Sequence, residues 1–218
     1  MTWRLAIPFA AYALVVAGHL VLVWRGRPAR AVRVTKWLLI PALLVAVLVA
    51  VWCDRAGAHR SAAAIAVLCV AILASWAGDV LISSSFVAGL ATFAAAHVAY
   101  IVVFLGLARS RSVPWPALLL VVWLTVLVVV LRRHLDSKLP AVVGYGMLLG
   151  AMAATAWGVS DTTGWGGAAF LASDTVLVLQ LFRPDFRRRV PQRWGDLAIM
   201  TLYCVGQGTI ALGVVGRA

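Results

Sequence analysis

Two carboxylates stand where this chain has little else that is polar. Asp79 lies inside LASWAGDVLI (73–82) and Asp174 inside FLASDTVLVL (170–179). A charged Asp at the centre of a bilayer costs about 2.5–3.5 kcal/mol on insertion scales. Such residues therefore face a cavity and handle protons or ions, or they are structural, bonded across helices or paired with a basic group. Other polar groups recur at helical intervals, and residues three or four apart share a helix face. Ser75 aligns with Asp79, and Phe86, Phe93, His97, Tyr100 and Phe104 form one stripe. Gly167, Phe170 and Asp174 form another, with Ser173 beside them, and Tyr203 aligns with Gln207. If these faces converge they line a partly polar cavity. Each residue also has a plainer reading. His97 can be a buried imidazole bonded to a neighbouring helix. Tyr100, Tyr145 and Tyr203 can be packing residues, and Lys36 an interface anchor. Ser75 and Ser173 can bond back to their own helices.

Several chemistries are excluded by what is missing. The chain has no GxSxG elbow and no HExxH pair. A zinc site wants three or four His, Cys or carboxylate ligands, and only His97, Asp79 and Asp174 lie at similar depth, so no metal and no cofactor is assigned. Cys53, Cys69 and Cys204 show no CxxC spacing and read as small packing residues.

The elements that must position these groups follow from composition. Of 218 residues, 64% are hydrophobic and only 12% charged, against about 25% charged in a soluble domain. The chain reads as all-α, a polytopic transmembrane helical bundle forming one domain over residues 1–218. A span needs about 20 apolar residues, and eight candidates appear: 5–24, 36–52, 61–82, 86–107, 114–131, 139–159, 165–182 and 196–216. RGRPARAVR, SSS (83–85), SDTTGWGG and RPDFRRRVPQRWGD mark breaks between them, with Asp161 expected in a polar turn. The N-terminal run has one early Arg4, no A-x-A-type site and a basic segment after it, so it is not expected to be a cleaved signal.

The net charge of +12 does not indicate nucleic acid, because Lys and Arg cluster in short loops rather than on a basic stripe with aromatics. With eight spans, 13 of the 19 Lys and Arg fall on one side and six on the other. Positive residues favour the cytoplasm, so both termini are expected outside a cell membrane. All seven acidic residues are Asp; five lie in or beside loops, leaving Asp79 and Asp174 within the apolar runs. His19, His59 and His134, near span ends or in loops, are expected to be solvated. Nothing in the sequence bears on oligomeric state.

Five segments carry a family resemblance: TKWLLIP (35–41), GDVLISSSFVAGLATFAAAHVAY (78–100), YGMLLGAMAATA (145–156), GAAFLASDTVLVLQLF (167–182) and LYCVGQGTIALG (202–213). On these the chain resembles the YhhN/TMEM86 family of integral membrane proteins. One departure is Trp37, where family members often have Pro after the Lys. The resemblance implies a multi-spanning hydrolase that cleaves the vinyl ether bond of lysoplasmalogens. Its products would be a fatty aldehyde and a glycerophospho-ethanolamine or -choline. It implies Asp79 and Asp174 as the catalytic pair. Lys36, His97, Tyr100, Tyr145, Ser173, Tyr203 and Gln207 would surround the lysophospholipid, with Lys36 expected at the headgroup phosphate.

That chemistry suits two buried carboxyls. A vinyl ether resists base and yields to acid. Protonation of its β-carbon gives an oxocarbenium ion, which water captures as a hemiacetal that collapses to aldehyde and alcohol. One carboxyl must be protonated and the other ionised, the division of labour seen in glycosidases. Apolar burial favours the neutral form, and depth favours Asp174 as the acid. A second reading remains open: a small transporter or lipid-binding membrane protein that uses the Asp pair as a proton relay.

Overall fold

The structure, a computed structural model, describes residues 3–53, 61–108 and 116–218. Its helices are α1 (Trp3–Trp24), α2 (Ala29–Cys53), α3 (Ala62–Leu81), α4 (Phe86–Leu107), α5 (Pro116–Leu135), α6 (Leu139–Val159), α7 (Asp161–Phe182), α8 (Pro184–Arg189) and α9 (Gln192–Val215). A short 3₁₀ turn, Asp136–Lys138, joins α5 to α6. All but the six-residue α8 are long and apolar enough to cross a membrane, so the chain is a multi-pass membrane protein. His59 lies outside the described residues.

Helix is the outcome because lipid offers backbone N–H and C=O groups no partner, and a helix satisfies them internally. Three helices begin four or more residues earlier than hydropathy alone suggests. The second span was expected from 36, yet α2 starts at Ala29 and carries Arg30 and Arg33 in its first turns. The helix continues past the apolar stretch because its hydrogen bonds do not depend on hydrophobicity. The seventh was expected from 165, yet only Ser160 separates α6 from α7. The Ser160 side chain caps α7 by accepting from the Thr163 N–H at 3.2 Å. Asp161 therefore sits in the first helical turn rather than in a loop, where its charge suits the helix dipole. The eighth begins at Gln192 rather than 196, and Gln192 Nε2 donates to Asp196 Oδ1 across one turn at 2.8 Å.

The SSS turn is built from serine hydroxyls. Ser83 and Ser84 donate back to Val80 O (2.8 Å) and Leu81 O (3.0 Å), closing α3. Ser85 accepts from the Ala88 N–H, opening α4.

The bundle is organised on α9, the most enclosed of the eight spans, while α5 is the least. α9 lies closest to α7, with Gly166 and Gly206 at their crossing. A Cβ on Gly206 would stand 2.9 Å from both Gly166 O and Phe170 N, so only small residues allow this backbone approach. Tyr12 of α1 ties to the other side of α9 through Cys204 O at 3.2 Å. α2 and α3 are pinned by a bond that proline makes possible. Pro41 lacks the N–H that would reach Trp37 O four residues back. The Trp76 indole N–H of α3 fills that vacancy at 2.9 Å. Large apolar side chains such as Leu14, Val45, Leu118 and Val121 cover the outside, as a lipid-facing surface requires.

Candidate active site

Alternation of eight spans places the C-terminal ends of α1, α3, α5 and α7 at the same end of the bundle as the N-terminal ends of α2, α4, α6 and α9. Near this end a cavity of about 460 Å³ opens between α2, α3, α4, α5, α6, α7 and α9. Asp79 and Asp174 both line it, with Lys36, Tyr145, Ser173 and Tyr203. Most of the remaining wall is apolar, including Leu90, Phe93, Leu149 and Leu177. The polar faces of α3, α7 and α9 thus converge, with Lys36 from α2 and Tyr145 from α6.

The two carboxylates have different partners. Asp79, in the last turn of α3, is buried and faces a cation: Lys36 Nζ stands 3.3 Å from its Oδ1. Tyr203 donates its hydroxyl to Oδ2 at 2.7 Å. Behind Tyr203 the chain of bonds continues, since Gln207 Nε2 donates to the Tyr203 oxygen at 3.4 Å and Tyr100 donates to Gln207 Oε1. Asp174, mid-way along α7, makes no ion pair among the described residues. Its Oδ2 is bonded to the Tyr145 hydroxyl, whose oxygen lies 3.0 Å from His97 Nε2. The other imidazole nitrogen, Nδ1, is buried without a partner. The His97 ring packs edge-on against Phe170 at 5.0 Å between centroids, and Phe170 packs edge-on against Tyr203 at 5.3 Å. One phenyl ring thus separates the two hydrogen-bonded chains.

His97, Tyr100 and Gln207 are buried but stand behind the cavity wall. His97 touches Tyr145 and Gln207 touches Tyr203, the residues that touch the carboxylates, and Tyr100 bonds to Gln207 one step further back. Ser173 does not bond back to its own helix; its hydroxyl donates to Ile199 O of α9 at 3.0 Å, because the close α7–α9 crossing brings that carbonyl within reach. His19 is a further correction. It is not solvated but 2% exposed, with Nδ1 2.8 Å from Thr35 Oγ1. α2 covers it, an effect of packing that sequence position near a span end does not show. His134 is exposed.

Sequence reasoning missed Lys138 and Phe182 at the cavity edge, beside Phe86 of the α4 stripe, and Trp123 on its α5 side. Trp123 Nε1 donates to Thr175 Oγ1 at 3.0 Å, tying α5 to α7 beside Asp174. A lone Trp in an apolar span carries no periodic signal, and Lys138 reads as an ordinary loop cation. Among the described residues no three His, Cys, Asp or Glu side chains group closely enough to hold a metal ion.

The chain is 34% identical over 149 residues to lysoplasmalogenase TMEM86B of Sus scrofa, which covers 66% of this chain and 61% of that protein. It is 34% identical over 150 residues to lysoplasmalogenase TMEM86B of Homo sapiens, covering 66% and 62%. The chain thus spans about three-fifths of the length of these curated relatives. No solved structure matches it. The model of the YhhN family matches residues 31–214, a stretch that holds every residue of the cavity wall, and the chain belongs to that family.

Proposed function

We propose that this protein is an intramembrane hydrolase that cleaves the vinyl ether bond of lysoplasmalogens, releasing a fatty aldehyde and a glycerophospho-alcohol. The observation that carries the reading is the unlike surroundings of two carboxyls on one cavity: Asp79 against Lys36 and Tyr203, Asp174 against Tyr145 with no cation paired to it among the described residues. The activity named for the TMEM86B relatives supports the same substrate class.

In this mechanism Asp174 is the acid. A neutral carboxyl needs no counter-ion, and an apolar wall disfavours the charged form. Asp79 stays ionised, because the Lys36 ammonium and the Tyr203 hydroxyl both stabilise its negative charge. Asp174 delivers its proton to the β-carbon of the vinyl ether, leaving an oxocarbenium ion between two carboxylates. Water adds to the α-carbon, the one bonded to the ether oxygen, and gives a proton to Asp79, forming a hemiacetal. Asp79 then protonates the leaving glycerol oxygen while the Asp174 carboxylate takes the hemiacetal hydroxyl proton. The carbon–oxygen bond breaks, and both carboxyls return to their starting states. Tyr145 and Tyr203 orient the two carboxyls, with His97 and the Gln207–Tyr100 pair holding those phenols from behind. The apolar wall accommodates a single hydrocarbon chain.

The test is aldehyde release by purified protein given a 1-alkenyl lysophospholipid, with the 1-acyl analogue as control. Release from the alkenyl lipid alone is expected. No aldehyde from folded, monodisperse protein overturns the reading, and lipid binding without turnover would favour the proton-relay alternative.

A further inference from the structure

We propose that Lys138, rather than Lys36, binds the phosphate of a lysophospholipid headgroup, at the mouth of the cavity; this rests on the substrate class proposed above. Two ammonium groups line the cavity, those of Lys36 and Lys138. Lys36 Nζ is already 3.3 Å from Asp79 Oδ1. A phosphate brought to it would also approach that carboxylate, and two anions at one cation repel. Lys138 has no ion-pair partner among the described side chains. It is exposed, in the turn that opens α6, so its ammonium can meet a headgroup at the membrane surface.

Its position is nonetheless defined. Nζ lies 5.8 Å from the centre of the Phe86 ring and 5.5 Å from that of Phe182. These rings meet edge to face at 5.6 Å across α4 and α7, and both line the cavity. Cation–π attraction at an exposed site holds such a group without neutralising its charge. Other nearby cations are engaged elsewhere and do not line the cavity. Arg183 donates to Val130 O at 3.2 Å, and Arg193 stacks over Trp24 at 5.2 Å. Tyr145 on α6 follows Lys138, the residue that precedes that helix, by seven positions, about 10 Å of helix rise. That separation suits a substrate whose phosphate and vinyl ether are joined by a glycerol backbone.

The test measures binding, so it does not depend on turnover. The wild type, Lys138→Met, Lys138→Gln and Lys36→Met would be titrated in phospholipid-free detergent by isothermal calorimetry. The ligands are a 1-O-alkyl lysophosphatidylethanolamine, which has no vinyl ether to cleave, the matching 1-O-alkylglycerol, and glycerol phosphate alone. Losing a charge-assisted bond to phosphate should weaken the lysophospholipid about tenfold or more in both Lys138 variants. The alkylglycerol should bind the wild type and both Lys138 variants alike. Unchanged lysophospholipid affinity in both Lys138 variants overturns the proposal. So does an equal loss on the alkylglycerol, or a larger phosphate-specific loss in Lys36→Met. Glycerol phosphate that binds as tightly as the lysolipid would make the ligand a free phosphate and also overturn it. A wild type that binds the lysophospholipid through Lys138 but releases no aldehyde from its alkenyl counterpart would sink the hydrolase reading and leave this one standing.

Discussion

Lys36 of α2 and Asp79 of α3 form an ion pair at 3.3 Å, with Asp79 buried and Lys36 about one-third exposed to the cavity side. A carboxylate that composition alone presents as isolated in hydrocarbon is thus neutralised by a residue 43 positions earlier. Removing one partner of a buried pair leaves the other uncompensated, which costs more than the pair contributes. Lys36→Met should lower stability by about 2 kcal/mol, less than for a fully buried pair because water reaches the lysine. Adding Asp79→Asn should recover most of that stability while leaving the protein inactive. Thermal melts in detergent of the two single variants and the double variant test this. A double variant less stable than Lys36→Met would show that the pair is not what holds these helices.

The central expectation concerns turnover. Asn keeps the size of Asp but can neither donate a carboxylic proton nor carry charge. A positioned acid or base contributes about 100- to 10,000-fold. Asp79→Asn and Asp174→Asn should each lose activity on that order while still folding. Residues acting as a unit are non-additive, so the double variant should be little worse than the poorer single one. Near-wild-type aldehyde release from either single variant would remove that carboxyl from the mechanism.

His97 is proposed to act through Tyr145, whose oxygen lies 3.0 Å from its Nε2. Tyr145→Phe deletes the hydroxyl bonded to Asp174 and should lower kcat about 10- to 100-fold, the value of one hydrogen bond to the carboxylate that forms as Asp174 gives up its proton. His97→Gln keeps a donor near the Tyr145 oxygen and should cost less, while His97→Ala should approach the Tyr145→Phe loss. In a Tyr145→Phe background, His97→Gln should change kcat little further. Full additivity of the two would mean that His97 acts independently of Tyr145.

The indole of Trp76 bonds the carbonyl that Pro41 leaves free. Trp76→Phe should destabilise the protein by about 1 kcal/mol, the usual net value of a hydrogen bond. In a Pro41→Ala background the new N–H can reach Trp37 O within the helix, so the same change should matter less. A double-mutant cycle on thermal unfolding checks the coupling, and zero interaction energy would refute it.

Orientation is a separate proposal, drawn from 13 basic residues on one side against six on the other. The end that carries α8 should face the cytoplasm and both termini should lie outside. Reporter fusions at the C-terminus and between Arg189 and Gln192 should give opposite signals. A cytoplasmic C-terminus would move the cavity mouth to the outer leaflet.

The sequence by itself determined the number of spans, their alternation and the two Asp residues out of place, since each follows from local hydropathy and chain order. Helical spacing also picked out the faces that carry Tyr203 and Gln207, and the block around His97. Starts of α2, α7 and α9 were less legible, because capping by Ser160 and hydrogen bonding through Arg-bearing turns extend helices beyond the apolar runs. Tertiary structure alone decided who meets whom. Lys36 reaches Asp79 because the α2–α3 crossing is pinned at Trp37 and Trp76. Tyr145 reaches Asp174 across 29 residues, and Tyr203 reaches Asp79 across 124. Helix periodicity says which side of a helix a residue occupies, but not which helix that side will face. Here the choice rests on steric fit: Gly166 and Gly206 let α7 and α9 close to backbone contact, and that approach sets Asp174 and Tyr203 on the wall of one cavity.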